Sequence, residues 1–86
     1  MQIDFTEDAD KHLKFFIKSG NKSILKKVAE LIKAIDENPF EGIGKPEPLK
    51  YEMTGLWSRR INQEHRLIYE ITTDIILIHS IKGHYK

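Results

Sequence analysis

Cysteine is absent from the 86-residue chain, which excludes disulfides and thiolate catalysis together. No apolar run approaches the roughly 18 residues that a membrane-spanning helix needs. The opening Met1-Gln2-Ile3-Asp4-Phe5 has neither the basic start nor the long apolar stretch of a secretory signal, so the cytoplasm is the expected location. His12, His65 and His79 lack the spacing of a metal site, and Gly42-Ile43-Gly44 lacks the lysine and hydroxyl of a phosphate-binding loop. Neither a metal nor a cofactor is therefore expected. Arginine is missing from the first 58 residues, and then Arg59, Arg60 and Arg66 fall within eight positions.

What remains is ordinary globular composition: 40% hydrophobic, 31% charged and a net charge of +1. A chain this short buries only about 60–65% of its unfolded surface, so residues 1–86 are expected to form one small domain whose stability a partner would raise. Charge is distributed unevenly. Up to Gly44 there are seven lysines against eight acidic residues, and from Lys45 onward seven basic residues against five acidic.

The order of elements can be read from periodicity. Ile3 and Phe5 alternate with polar neighbours as in a short strand. Thr6 reads as an N-cap, with Glu7, Asp8 and Asp10 in the first turn of a helix whose apolar stripe is Ala9, Leu13, Phe16 and Ile17, ending at Gly20. A second helix from about Ser23 presents Ile24, Val28, Leu31, Ile32 and Ile35 on one face and stops at Asn38-Pro39. Pro39 to Pro48 is a loop. Three strands follow, at Leu56–Ile61, Arg66–Ile71 and Ile75–Ile81, the last apolar on both faces and so expected to be central and covered. In the middle one Leu67, Tyr69 and Ile71 face one way and Arg66, Ile68 and Glu70 the other. An α+β arrangement follows, with an antiparallel helix pair on one face of a sheet and an open face carrying Arg66.

The second half also holds the residues with chemistry. Glu47 lies between Pro46 and Pro48, so it sits on a stiff backbone. Clustered arginines suit phosphate, because the guanidinium forks onto two oxygens. A carboxylate, fixed cations and the late His84 are what metal-free cleavage of an RNA phosphodiester needs. Taken singly, each has a blander reading: Arg59, Arg60 and Arg66 as surface ion pairs with Glu64 and Glu70, Glu47 as a solvated loop carboxylate, His84 as an exposed terminal side chain. Trp57 and Tyr85 could stack on a base, although packing is the preferred reading for Trp57.

Together, Pro39-Phe40-Glu41-Gly42 through Lys50, then Gly55-Leu56-Trp57-Ser58-Arg59-Arg60-Ile61, Glu64-His65-Arg66-Leu67-Ile68-Tyr69 and His84-Tyr85, closely resemble the YoeB/Txe toxins of the RelE-like group. The resemblance covers essentially the whole chain. It implies the RelE-like fold, with two N-terminal antiparallel helices on one face of a small, mainly antiparallel twisted sheet. It also implies a ribosome-dependent endoribonuclease that cuts mRNA in the A site, neutralised by a YefM/Axe-like antitoxin. With that antitoxin the toxin would act as co-repressor, reaching operator DNA only through it, and a homodimer is a further expectation. Carried over residue by residue, the general base falls on Glu47, the phosphate-binding arginine on Arg66 and the general acid on His84, although base and acid could be exchanged. Lys50, Arg60 and Tyr85 fall on supporting positions, and Lys45 with Arg59 would extend the RNA-facing basic surface. Lys86, beyond the usual His-Tyr close, is a departure from the family pattern. Two alternatives stay open: a ParE-like toxin that poisons gyrase, and a catalytically inactive antitoxin-binding module of the same fold.

Overall fold

The computed structural model describes residues 1–83. Its elements run β1 (Gln2–Phe5), α1 (Glu7–Lys18), α2 (Lys22–Glu37), β2 (Glu47–Pro48), a 3₁₀ turn (Tyr51–Met53), β3 (Trp57–Arg60), β4 (Arg66–Ile71) and β5 (Ile75–Ser80). Local chemistry sets the helix ends. Thr6 accepts the Ala9 N–H through its hydroxyl, and three carboxylates occupy the positive end of α1. Asn21 caps α2 by accepting the Ile24 N–H, which starts the helix one residue ahead of the expected Ser23.

The strands form one five-stranded sheet in the order β1-β5-β4-β3-β2. Only the β1–β5 ladder is parallel, because the chain's first strand docks beside its last. The others are antiparallel, β3–β4 and β4–β5 joined by short turns and β2–β3 by the segment that holds the 3₁₀ turn. A bulge between Ile68 and Tyr69 adds one residue to β5, leaving His79 between Ile78, opposite Tyr69, and Ser80, opposite Ile68.

Both helices cover the same face. Ala9 and Phe16 of α1, Ile24, Val28, Leu31 and Ile35 of α2, and Leu67, Tyr69, Ile76 and Ile78 of the sheet make one core. Burying an aliphatic side chain of this size contributes roughly 1.5–3 kcal/mol. Ile17 departs from the expected stripe and stands 58% exposed, because the core-facing arc of α1 closes at Ala9, Leu13 and Phe16. β5 is interior to the sheet, as its composition implies. Helices cover only one of its faces, however, so Ile75 and Leu77 are half-buried where Ile76 and Ile78 are fully buried.

Candidate functional site

Strand register decides which polar side chains share the face that the helices leave open. Arg60 pairs with Arg66 across β3–β4, Ser58 with Ile68, and Glu47 of β2 with Ser58. Cross-strand partners and residues two apart lie on the same side of a sheet. Glu47, Arg60 and Arg66 therefore lie on the same side of the sheet as the buried Ser58 and Ile68, opposite the face that packs Leu67 and Tyr69 against the helices. Glu47 and Arg66 are separated by two strand spacings across the sheet and two residues along it, roughly 12 Å, with their side chains on the same side.

The cationic corner of this face is built by a tight hairpin. Asn62 Oδ1 accepts the N–H groups of Glu64 and His65 at 2.8 and 2.7 Å, and Ile61 N–H closes on His65 O at 3.1 Å. Arg66 Nη1 donates to Asn62 O at 2.7 Å and to His65 O at 3.2 Å, which orients the guanidinium over the turn. Beside it opens a cavity of about 420 Å³ lined by Lys27, Arg60, Asn62, Gln63 and Arg66. Three cations around one concavity raise the local potential in the sense that favours an anion. Lys27, from α2, escaped sequence reasoning because its helix is remote in the chain. Its offset from the apolar stripe signalled only solvent exposure.

Arg59 does not belong to this surface. Its side chain is fully buried, so its expected contact with RNA is withdrawn. Alternation places it on the helix side, opposite Leu67. There Nη2 donates to Asn38 O at 2.6 Å and Glu41 O at 3.0 Å, Nη1 to Ile43 O at 3.1 Å, and Nε to the Tyr69 hydroxyl at 3.1 Å. The same hydroxyl donates to Pro39 O at 2.7 Å. Burial pushes the Tyr69 phenol above its ordinary pKa, against the opposing pull of Arg59, so it keeps the proton it donates. Arg59 and Tyr69 thus lash the loop that leads to Glu47 onto the sheet. Phe40 from this loop lies against Trp57, ring centroids 4.8 Å apart, and Trp57 packs against the core.

Gly44 completes the attachment. Its carbonyl accepts Arg60 N–H at 2.6 Å, and its φ of +84° is one an L-residue rarely adopts. A Cβ there would meet Leu31 Cδ2 at 2.8 Å. Lys45, with φ of +50°, and Lys50 are both exposed on either side of β2. Arg60 is exposed, and Arg66 is partly buried. Glu70 is paired with His79 Nε2 at 2.9 Å. Among the described residues no group of three His, Cys, Asp or Glu side chains converges as metal ligands would. Nor is any helix among them long and apolar enough to cross a membrane. His84 and Tyr85 lie outside the described residues.

Two helices on one face of a mixed sheet, with basic and acidic side chains gathered on the other, define a RelE-like toxin architecture. A solved structure named as a YoeB/ParE toxin from Agrobacterium tumefaciens superposes with a TM-score of 0.95 at 33% identity, covering 99% of this chain and 100% of that one. The Staphylococcus aureus YoeB dimer superposes at 0.90 with 48% identity, covering 99% and 98%, and the same toxin in its YoeB–YefM complex at 0.89 with 49% identity and the same coverage. Toxin YoeB of Synechocystis is 50% identical over 86 residues, 100% of this chain and 99% of that protein. Residues 5–85 match the family described as YoeB-like toxin of bacterial type II toxin-antitoxin system. The chain belongs to that family.

Proposed function

We propose that the protein is a ribosome-dependent endoribonuclease that cuts mRNA in the A site. The observation that carries this reading is the register that sets Glu47, Arg60 and Arg66 on one open face, beside a concavity of three cations. The ribose 2′-oxygen attacks the adjacent phosphorus as Glu47 takes its proton. The bond from phosphorus to the 5′-oxygen breaks, and His84 protonates that leaving oxygen. A 2′,3′-cyclic phosphate and a 5′-hydroxyl result. Arg66 stabilises the charge that builds on the non-bridging oxygens, and its tethering to the hairpin means that little reorganisation is needed in the transition state. Lys50, Arg60 and Tyr85 hold the flanking phosphates and base. The ribosome supplies the in-line arrangement of the three reacting atoms, which a small open site does not impose on free RNA.

A YefM-like antitoxin is the proposed neutralising partner, by likeness to the S. aureus complex, and a homodimer is proposed by likeness to its solved dimer. An acidic, partly disordered antitoxin segment lying over Arg60 and Arg66 would mask the site by charge complementarity. The ParE part of the Agrobacterium protein's name keeps gyrase as the alternative target.

The test is primer extension on a defined message bound to 70S ribosomes, with DNA gyrase supercoiling assayed in parallel. A single A-site cut is expected from the wild type, slowed about 10²–10³-fold in Arg66→Ala and also lost in His84→Ala. Absence of cutting with inhibition of gyrase would replace the nuclease reading by the gyrase one.

A further inference from the structure

Two histidines outside the proposed catalytic set hold the chain just ahead of His84. Gly83 N–H donates to His65 Nδ1 at 2.9 Å, and Ile81 N–H donates to His12 Nδ1 at 3.3 Å. The Gly83 carbonyl in turn accepts Arg66 N–H at 3.0 Å. Gly83 is thus gripped at both its amide and its carbonyl by two consecutive residues, one of them the arginine of the site. A backbone N–H only donates, so each Nδ1 is unprotonated, and each neutral ring carries its proton on Nε2.

The acceptor on His65 is itself held rigidly. Its backbone N–H is bonded to Asn62 Oδ1, its ring stands edge-on to Phe16 at a centroid distance of 5.2 Å, and the residue is 8% exposed. His12 reaches the same segment from α1, with the Ser80 hydroxyl 3.4 Å from its Nδ1. Gly83 adopts φ of +95°, a turn that redirects the chain immediately before His84. Holding Gly83 therefore holds the backbone to which the following residue is joined.

We propose that His65, assisted by His12, is a positioning residue that clamps Ile81 to Gly83, the backbone that precedes the proposed general acid in the chain and that bonds Arg66 through the Gly83 carbonyl. The clamp rests on the ribonuclease reading for its purpose but not for its existence, and two arms of one experiment separate these. In the first, the ¹⁵N-labelled full chain is followed by NMR for the protonation of His65 Nδ1 and for hydrogen exchange of the Gly83 amide. The wild type is expected to show an unprotonated Nδ1 and a protected amide. His65→Ala should lose that protection, and His65→Asn should retain it, because Asn Oδ1 occupies the place of His Nδ1.

In the second arm, cleavage of ribosome-bound message is measured under single-turnover conditions. His65→Ala should slow cleavage about 10–100-fold, the scale of a misplaced catalytic group. The toxin concentration giving half-maximal rate should stay near that of the wild type, and His65→Asn should recover most of the rate. The Asn variant guards against a fold defect in the Ala variant, as does comparison of the remaining amide spectrum. A Gly83 amide equally exposed in wild type and His65→Ala overturns the clamp. Protection lost with cleavage unimpaired overturns the positioning role. A wild type that protects Gly83 yet cuts no message removes the ribonuclease reading, and the positioning role with it, while leaving the clamp established.

Discussion

A buried guanidinium is tolerated where each of its nitrogens finds an oxygen, and Arg59 meets that demand with backbone carbonyls and a phenol instead of a carboxylate. Arg59→Met strands several of those carbonyls at once and should destabilise the fold by roughly 3 kcal/mol in urea denaturation. Arg59→Lys should recover little, since an ammonium does not reproduce the planar fork. A loss below about 1 kcal/mol in Arg59→Met would mean that the loop does not depend on this hub. His12 offers a pH-dependent check. Burial lowers its pKa, followed by smaller effects of Asp8, which raises it, and of Lys82 and His65, which lower it. The folded state therefore binds this proton less readily than the unfolded chain, so stability is present above the ordinary value of 6.5 and is lost as pH falls below it. Melting curves of wild type and His12→Asn should accordingly converge as pH drops from 7.5 to 5.5. A gap independent of pH would show that His12 does not titrate in this way.

At the scale of elements, the site depends on two connections that lack regular structure over most of their length. The loop from Asn38 to Pro46 is pinned from below by Arg59 and Tyr69, and from the side by the bond between Gly44 and Arg60. Gly44→Ala combines an unfavourable φ with a 2.8 Å approach to Leu31. It should cost roughly 2–3 kcal/mol and lower Tm by about 10 °C. A variant melting within a degree or two of the wild type would show that the loop simply shifts aside. The hairpin between β3 and β4 is the second connection. Asn62→Ala removes one oxygen that accepts two N–H groups and should cost about 1 kcal/mol. Arg66 donates to the backbone carbonyl of Asn62, which alanine keeps, so slower cleavage of ribosome-bound message by this variant would report a shift of the hairpin itself.

For the whole molecule, a net charge of +1 conceals a polarised surface. Glu70 is committed to His79, whereas Lys27, Arg60 and Arg66 line one cavity at the opposite end of β4. Binding to RNA should therefore weaken steeply with salt. Lys27→Gln should flatten the plot of log affinity against log salt by about 0.7–0.9. An unchanged slope would place Lys27 outside the RNA contact.

Much of the fold was legible because periodicity is a local property. The two amphipathic helices, the cap at Thr6 and the three C-terminal strands follow from residue spacing alone, and so does the alternation that turns Arg66 away from the core. Family resemblance named Glu47, Arg66 and His84 without giving them any geometry. Three further facts needed the folded chain, because each depends on contacts between residues far apart in sequence. One is the burial of Arg59, whose neighbour Arg60 stays exposed. Nothing in the dipeptide says which arginine turns inward until pairing with β4 sets the face. The second is the arrival of Lys27 from α2 beside the β3–β4 hairpin. The third is the meeting of His12, from the first helix, with Ile81, and of His65, from a turn, with Gly83. The sequence by itself determined which elements form and which face of each is apolar, since both are set by neighbours a few residues away. Only the tertiary structure decided which polar side chains meet, because strand register and helix docking are settled by burial of the shared core.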